Sequence, residues 1–387
     1  MSSSRKSLRI LVAPNAFKES LSAMDAAAAI SRGLFRVLPN SRITQLPIAD
    51  GGDGTLEAVV EGTRGKIFRA RVLDPLGKKI FAEYGLTGDG KTAVIEMSRA
   101  SGLALVPTSQ RNPMLCTSYG TGQLIKAALK RGVQDIILGI GGSATVDGGI
   151  GALQALGIDF LDRRGRPVGW GGMGLRSIAR IDMGKTNALL KRARILVACD
   201  VDNPLVGPRG SAAVFGPQKG ATPGMVRKLD QYLGKLGRLI QETTGRDVSQ
   251  VAGSGAAGGI AGGFMGLLGA RLSPGSDLVF DLLKVEEQVK KADLAFTGEG
   301  QIDFQTPFGK GPGMLAKIAK EHGVPVIGIA GSVAGDVGGL YDQGFTALFS
   351  IVASPVTVEA AIQNADQLLE AQSEQVARLL RFGLDSA

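Results

Sequence analysis

The sequence predicts an α/β protein with mostly parallel sheets, in which one α/β domain is inserted into another. Short apolar runs alternate with helical patterns along most of the chain, as in parallel sheets covered on both faces. An antiparallel stretch at about 66–106 interrupts this alternation. The length of 387 residues also suggests two domains or more. We expect a discontinuous α/β domain (flavodoxin-like or related) of residues 1–70 and 289–387, and an inserted α/β domain of residues 71–288.

The chain begins with the elements of the first domain. SLRILVA (7–13) is a nearly continuous apolar run, which is typical of a strand covered on both faces. A helix is expected from about Ser22 to Leu38, because Ser22 and Asp25 have the spacing of a capping box. RITQLPIAD then predicts a strand that leads into GGDGT and the helical LEAVVEG.

Three runs predict the antiparallel stretch: IFRARVL, KKIFAEYG and TAVIEMS, with a DPLG turn between the first two. The segment GLTGDGKT also matches the P-loop pattern at Gly85, Gly90, Lys91 and Thr92. A P-loop requires a helix after its lysine, whereas TAVIEM alternates as a strand does. We therefore interpret Gly-Asp-Gly as a hairpin turn and the P-loop match as an accident.

Alternation of helices and strands resumes after this stretch and continues to the C-terminus. The expected elements are the helix GQLIKAALKRG, the strand QDIILGI, the helix IGALQALG, the strand ARILVACD and a long helix around 224–244. The strands DLAFTG, PVIGIAG and TALFSIV follow, each with a helix after it. Repetition of this unit favours mostly parallel sheets with covered faces.

The net charge of +9 raises the question of a nucleic-acid partner. Lys and Arg are scattered, however, and the basic cluster DRRGRP (162–167) contains no aromatic residue, which is typical of a solvated turn. We expect no nucleic-acid partner, and the excess positive charge would instead attract small anionic substrates. A basic nucleic-acid-binding protein without catalysis stays open as an alternative.

No segment of the sequence predicts export or membrane insertion. The first apolar stretch stops at Pro14, which is too short for a signal-peptide core, and no run approaches 18 apolar residues. Cys116 and Cys199 have no CxxC pattern and no neighbouring histidine cluster, as expected of reduced thiols. We therefore expect a cytoplasmic protein with no membrane partner.

His322 is the only histidine, and it lies just before a glycine that is typical of a helix C-cap. A single histidine excludes multi-histidine metal sites, and its place at a helix end argues against Ser-His-Asp and Cys-His relays. The chemistry must then come from carboxylates, lysine and a metal ion. Phosphoryl transfer suits these groups, because it requires positioning and charge neutralisation more than covalent catalysis.

Glycine is unusually frequent, with 57 residues that cluster at the ends of apolar runs. Five expected strand ends carry glycine with acidic or hydroxyl residues: IADGGDGT, ILGIGGSATVDGG, VACDVDNPL, FTGEGQID and GIAGS. Ligands of open parallel sheets collect at these ends, and glycine lets backbone amides approach an anion. Clustered carboxylates need a cation, and their oxygen atoms are the ligands that Mg²⁺ prefers.

One of these loops also matches a dinucleotide fingerprint at Gly139, Gly141 and Ala144, with Asp159 about 20 residues further on. An NAD(P)-dependent dehydrogenase of a small hydroxy acid is therefore a second alternative. TVDGG intervenes before the next expected helix, however, so the helix start is displaced from the glycines.

Taken together, these segments resemble the type 1 glycerate kinases of bacteria along essentially the whole chain. The resemblance is carried by APNAFKESLSA (13–23), ADGGDGT (49–55), GIGGSATVDGG (139–149), ACDVDNPLVG (198–207), FGPQKGAT (215–222), GSGAAGG (253–259), TGEGQID (297–303) and GIAGS (328–332). It implies two α/β domains with the active site in the cleft between them, and no Walker motif. It also implies phosphorylation of D-glycerate to 2-phosphoglycerate with ATP and Mg²⁺. The sequence leaves the oligomeric state open, with a homodimer as one option.

The sequence departs from the family pattern at a few positions. Asn15 and Ala16 stand where many members have Asp and Ser, so Asn15 is not expected to be an essential carboxylate. Asp53 replaces a frequent Glu, Val146 replaces a frequent Asn, and Phe304 stands where smaller polar residues are common.

The resemblance and the strand ends together give the candidate site residues. Lys18 is the expected cation for the carboxylate of glycerate, and Asp50 is expected to orient or deprotonate the attacking hydroxyl. A capping role at the helix near Thr55 is the alternative for Asp50. The full set comprises catalytic Lys18, Asp50 and Asp200; substrate-binding Lys18, Asp50 and Asp53; phosphate-binding Gly141, Gly142, Ser143 and Thr145; and Mg²⁺-binding Asp200, Glu299 and Asp303.

Overall fold

A computed structural model describes residues 7–52, 54–303 and 311–386 of the chain. It confirms the α/β class, with mostly parallel sheets. Its strands, β1 to β15 in chain order, are Arg9–Val12, Arg42–Gln45, Lys66–Leu73, Lys79–Leu86, Thr92–Glu96, Asp135–Gly139, Asp159–Leu161, Arg180–Asp182, Arg194–Ala198, Arg271–Ser273, Leu294–Thr297, Gln301–Ile302, Val326–Ala330, Ser332–Val333 and Phe345–Ser350.

Helices separate most of these strands. In chain order α1 to α15 are Ala23–Val37, Thr55–Gly62, Ser98–Ser101, Tyr119–Leu129, Ile150–Ala155, Gly171–Ser177, Ser211–Phe215, Pro223–Thr244, Ala256–Leu268, Gly275–Leu283, Val285–Val289, Gly311–Glu321, Gly338–Asp342, Val358–Gln363 and Ala365–Ser386. No helix in the described part of the chain is both long enough and apolar enough to cross a membrane.

The chain forms two compact units. The first unit comprises Met1–Asp50, Glu57–Thr63 and Ser276–Ala387, and the second comprises Gly51–Leu56 and Arg64–Gly275. Each unit has its own sheet and its own apolar core.

The first unit contains a five-stranded sheet in the order β15-β13-β11-β1-β2. Every neighbouring pair in this sheet is parallel. Its core joins the buried side chains of the central strands to α1 and α15, with Ile10, Ile30 and Leu369 almost fully buried. At the start of α1, Asp25 N donates to Ser22 Oγ at 3.1 Å, which confirms the predicted cap.

The second unit contains a six-stranded sheet in the order β10-β9-β6-β5-β4-β3. The strands from β10 to β5 pair in parallel, and β4 and β3 extend the sheet in antiparallel fashion. The predicted hairpin is confirmed, because Gly85 pairs with Val94 and Thr87 N donates to Thr92 O at 3.0 Å. Lys91 lies exposed in the turn, and the residues after it form β5 rather than a helix.

Candidate active site

The carboxyl ends of β5, β6 and β9 lie side by side at one edge of the second unit's sheet. The last residues of these strands, Glu96, Gly139 and Ala198, are paired with one another in that order. We call this the second-unit edge. Open parallel sheets bind ligands at such an edge, so the loops that leave it are the first candidates for a binding site.

The loop of residues 140–149, here called the glycine-rich loop, follows β6 at this edge. Gly141 and Gly142 are exposed, which leaves their backbone accessible to an anion. Ser143 is only 6% exposed, and Thr145 is fully buried. Of the four predicted phosphate ligands, the two glycines therefore lie at the surface and the two hydroxyl residues lie inward.

Lys219 forms hydrogen bonds with the buried side of the glycine-rich loop. It ends the short 3₁₀ turn Pro217–Lys219 and is 2% exposed. Its Nζ donates to Ser143 Oγ at 2.7 Å and to the backbone oxygen of Thr145 at 2.8 Å. Burial lowers the pKa of Lys219 to about 7, and the negative charge of Asp147 acts in the opposite direction.

Asp147 is fully buried at the centre of the same loop. Its carboxylate accepts hydrogen bonds from Ser118 N at 2.9 Å, Ser118 Oγ at 2.7 Å, Gly149 N at 3.0 Å and Gly151 N at 3.4 Å. Burial raises the pKa of Asp147, whereas these donors lower it by stabilising the carboxylate. Asp147 thus ties the loop to the start of α4 and to α5.

The GSGAAGG segment (253–259) also packs against the glycine-rich loop. Gly148 N donates to Gly258 O at 2.9 Å. Gly258 has a φ of 78°, and a Cβ at this position would collide with the backbone oxygen of Thr145. Only glycine combines this left-handed backbone with so close an approach.

The ADGGDGT motif brings its glycines and the start of α2 to the second-unit edge. A Cβ on Gly51 would collide with the Cα of Gly275. Further along the motif, Leu56 N donates to a carboxylate oxygen of Glu96 at 3.0 Å, and Arg99 Nε donates to the other oxygen at 2.7 Å. Glu96 is therefore a buried, long-range cap for the first turn of α2.

Asp200 leaves the same edge after β9. It is exposed, and its Oδ1 accepts a hydrogen bond from Gly275 N at 2.9 Å. Cys199, the residue before it, is half-buried, and burial raises the pKa of its thiol. The Asp200 carboxylate thus stands at the surface of the edge that also carries Gly141 and Gly142.

The first unit has a corresponding edge, where β1, β11 and β13 end side by side. We call it the first-unit edge. Asn15 N donates to Gly298 O at 2.8 Å, and Gly331 N donates to Glu299 O at 3.2 Å, so the loops after the three strands are joined through their backbones. Asn15 Oδ1 accepts from the backbone N–H of Ala16 at 2.8 Å, which gives it a local turn role.

Three predicted site residues lie at the first-unit edge. Lys18 is exposed, and its backbone passes close to Gly300, where an added Cβ would lie 3.5 Å from Lys18 N. Glu299 is 9% exposed, and Asp303 is half-buried and accepts from Gln301 Nε2 at 2.9 Å. The structure therefore brings Lys18 and the TGEGQID loop to the same edge.

The remaining acidic candidates come from the ADGGDGT motif. Asp50 is half-buried and ends the first segment of the first unit. Asp53 lies outside the described residues, as does Phe304.

The predicted metal ligands are divided between the units, with Asp200 in the second and with Glu299 and Asp303 in the first. Within residues 7–52, 54–303 and 311–386, no group of three His, Cys, Asp or Glu side chains could hold a metal ion. Mg²⁺ commonly takes one or two carboxylates, together with waters and substrate phosphates. The oxygen donors of Glu299 and Asp303, on one loop, fit that requirement.

The structure removes the support for the dinucleotide fingerprint. The helix after Gly139 begins only at Ile150, so its N-terminus does not follow the glycines directly. Asp159 starts β7, which pairs with β8 outside the six-stranded sheet, and its carboxylate accepts from Lys185 Nζ at 3.0 Å. Neither feature has the geometry that a dinucleotide site requires.

Cys199 directly follows β9 at the second-unit edge, whereas His322 and Cys116 lie elsewhere in the chain. The Nε2 of His322 lies 2.9 Å from Glu286 Oε1 in a surface pair. Cys116 is buried, and both cysteines are free thiols.

Three buried or capping residues were not predicted as part of the site: Glu96, Asp147 and Lys219. Each lies in a segment whose pattern carried a signal. Glu96 closes an apolar strand, Asp147 follows the glycine-rich loop's hydroxyl residues, and Lys219 lies between Pro217 and Gly220. A buried polar residue needs a hydrogen-bond partner, so polar residues inside apolar or glycine-rich segments are candidates for a role in the site.

Comparisons with known proteins agree on one family. The model of the glycerate kinase family matches residues 10–381. A glycerate kinase of Halalkalibacterium halodurans is 48% identical over 95% of this chain and 97% of its own length. A glycerate 2-kinase of Escherichia coli is 44% identical over 98% of this chain and 100% of its own length.

A solved structure gives the same result for the fold. The crystal structure of a protein from Salmonella typhimurium LT2, assigned as a glycerate kinase 2, is similar with a TM-score of 0.91. It is 46% identical in sequence and covers 98% of this chain and 100% of its own.

Proposed function

The chain belongs to the glycerate kinase family, and we propose that it transfers the γ-phosphoryl group of ATP to the 2-hydroxyl of D-glycerate. The products are ADP and 2-phosphoglycerate. The choice of the 2-hydroxyl is supported by the Escherichia coli relative, which is a glycerate 2-kinase. Family membership makes the protein a phosphotransferase, and the position of transfer is the part that needs an experiment.

The observation that carries this proposal is the glycine-rich loop at the second-unit edge. Its exposed Gly141 and Gly142 offer backbone to an anion, and Lys219 supports the loop from the buried side. Such a loop suits the phosphates of a nucleotide without a Walker motif. A single histidine in the whole chain is consistent with a reaction that depends on positioning and charge.

For the nucleotide, we assign the backbone of Gly141 and Gly142 and the hydroxyl of Ser143 to phosphate oxygens. The inward hydroxyl of Thr145 completes the predicted set, and its Oγ1 has no hydrogen-bond partner among the described residues. Asp200, Glu299 and Asp303 are the proposed Mg²⁺ ligands, directly or through water. The metal would neutralise charge on the phosphoryl group during transfer.

For glycerate, we assign the ammonium of Lys18 to the carboxylate, and Asp50 and Asp53 to the hydroxyls. Lys18 is exposed at an edge where ligands of parallel sheets collect. Asp50 would accept the proton of the attacking hydroxyl, as an aspartate does in other kinases. The capping alternative for Asp50 loses part of its basis, because Leu56 N in the first turn of α2 already donates to Glu96.

Phosphorus NMR of the purified protein with ATP, Mg²⁺ and D-glycerate tests the proposal. Proton-coupled spectra distinguish the products, because phosphorus on the 2-oxygen couples to one proton and phosphorus on the 3-oxygen couples to two. We expect the 2-phosphoglycerate pattern. A 3-phosphoglycerate signal would contradict the position of transfer, and no new phosphomonoester signal would contradict glycerate as the substrate.

A further inference from the structure

The hydroxyl oxygen of Ser143 accepts a hydrogen bond from the side chain of Lys219. Lys219 Nζ lies 2.7 Å from Ser143 Oγ, and the ammonium form of lysine can only donate, so Oγ is the acceptor. The hydroxyl must direct its own proton elsewhere. Across the described ranges 7–52, 54–303 and 311–386, no acceptor receives that proton, so Ser143 retains a donor for a ligand.

The position of Ser143 determines where that donor can act. The residue follows the exposed Gly141 and Gly142 directly and is itself 6% exposed. Its backbone is fixed by its neighbours, because Leu103 N donates to Gly142 O at 2.8 Å and Ala144 N donates to Ser101 O at 2.9 Å. The hydroxyl proton is therefore presented beside the glycine backbone that an anion can reach.

Building on the proposed kinase function, we propose that Lys219 is a positioning residue for phosphate binding. Its ammonium occupies the acceptor side of Ser143 Oγ and thereby directs the Ser143 proton to a phosphate oxygen of the nucleotide. Lys219 does not touch the nucleotide itself, since it is 2% exposed and its Nζ donates to Ser143 and Thr145. An adjacent positive charge also polarises the Ser143 O–H bond and strengthens it as a donor.

The charge on Lys219 is sensitive to what binds nearby. The titratable groups that act on it are Asp147 in the glycine-rich loop and Cys116 before α4, and both favour the ammonium. Burial acts against them and lowers the pKa of Lys219 to about 7. A phosphate at Ser143 adds negative charge and raises that pKa. Nucleotide binding above pH 7 should therefore take up a proton.

The kinetic test compares Lys219→Met, Ser143→Ala and the double variant with the native enzyme. We expect each single change to lower kcat/KM for ATP by about 10- to 100-fold, the range for losing a hydrogen bond that involves a charged group. The double variant should be no worse than the poorer single variant, because both changes remove the same contact. Lys235→Met is the matched control, since Lys235 lies on α8 and its Nζ also donates to a backbone carbonyl, that of Arg176 on α6.

Three kinetic results would overturn the proposal. The first is a folded Lys219→Met variant whose kcat/KM for ATP lies within twofold of the native value. The two single effects could multiply in the double variant, which would mean that Lys219 does not act through Ser143. Lys235→Met could also lower kcat/KM for ATP as much as Lys219→Met does. In each case the native enzyme would still phosphorylate glycerate, so the proposed function would stand while this inference failed.

A second measurement needs only the native protein. Titration calorimetry at pH 8 in two buffers of different ionisation enthalpy measures protons taken up when a non-hydrolysable ATP analogue binds with Mg²⁺. We expect net uptake by the native enzyme and by Lys235→Met, and none by Lys219→Met. Binding by the native enzyme without proton uptake would contradict the inference, even if Lys219→Met failed to fold.

Discussion

Asp200 and Gly275 are joined by a hydrogen bond in which Gly275 N lies 2.9 Å from Asp200 Oδ1. Gly275 begins α10, so Asp200 satisfies one of the backbone donors that a helix leaves unpaired at its N-terminus. The same carboxylate is a proposed Mg²⁺ ligand. A substitution that keeps the oxygen but removes the charge separates these two roles.

Asp200→Asn should lower turnover by more than about tenfold, which corresponds to ~1.4 kcal/mol of activation free energy. Its amide oxygen can still accept from Gly275, so thermal unfolding should change little. Asp202→Asn is the control, because Asp202 is an exposed neighbour paired with Arg209. Turnover of Asp200→Asn within tenfold of the native value would exclude the ligand role.

Asp50→Ala should lower turnover by at least about 100-fold, the lower end of the range for a lost general base. Its unfolding free energy should change by less than the ~1 kcal/mol expected for a lost cap. Glu96→Ala provides the contrast, since it leaves Leu56 N without its buried acceptor and removes one of the two carboxylates that Arg99 contacts, so it should destabilise the protein by ~1–3 kcal/mol. Stability loss with native turnover in Asp50→Ala would indicate a cap instead.

Lys18→Ala should raise KM for glycerate and leave KM for ATP unchanged, because only the glycerate carboxylate is assigned to this ammonium. Steady-state kinetics with each substrate varied in turn measures the two constants. Lys317→Ala removes another exposed lysine of the first unit and controls for a general effect of charge. A higher KM for ATP in Lys18→Ala would assign Lys18 to the nucleotide.

Lys91→Ala should leave turnover at the native level, since Lys91 lies exposed in the turn between β4 and β5. The unfolding free energy should change by about 0.5 kcal/mol or less, as is usual for a surface substitution. Denaturant unfolding and a kinase assay together check this. A large fall in turnover with unchanged stability would restore the P-loop interpretation of GLTGDGKT.

The stability difference between the native protein and Lys219→Met should depend on pH. The folded-state pKa of Lys219 is about 7, below the ordinary value of 10.5, so between these values the unfolded chain binds a proton that the folded chain does not. The native protein should therefore gain stability relative to Lys219→Met by up to ~1.4 kcal/mol per pH unit above pH 7. Urea unfolding of both proteins at pH 7, 8 and 9 measures this, and a constant difference would contradict it.

Local patterns were sufficient to predict the fold class. The apolar run around Ile10 and the alternation around Val94 depend on periodicity within a few residues, and both correspond to strands of the predicted kind. The capping residues Ser22 and Asp25 are close in sequence, so their pattern also predicted a real contact. These features share one property, which is that the interacting residues are near one another along the chain.

The buried polar contacts of the site have the opposite property. Lys219 and Ser143 are 76 positions apart, and Leu56 and Glu96 are 40 positions apart. No local pattern specifies which of several lysines or glutamates will be buried against a particular loop. Their partners depend on how β5, β6 and β9 are ordered in the sheet, and strand order is not encoded in periodicity.

The pairing of β1 with β11 has a consequence for synthesis on the ribosome. Ile10 pairs with Leu294, and Leu294 is translated 284 residues after Ile10. The central strand β1 therefore cannot pair with β11 until much later in synthesis. The whole of Arg64–Gly275 emerges in between and can complete its own sheet during that interval. The nascent N-terminal segment must therefore remain folding-competent, with one edge of β1 unpaired, until β11 has left the ribosome.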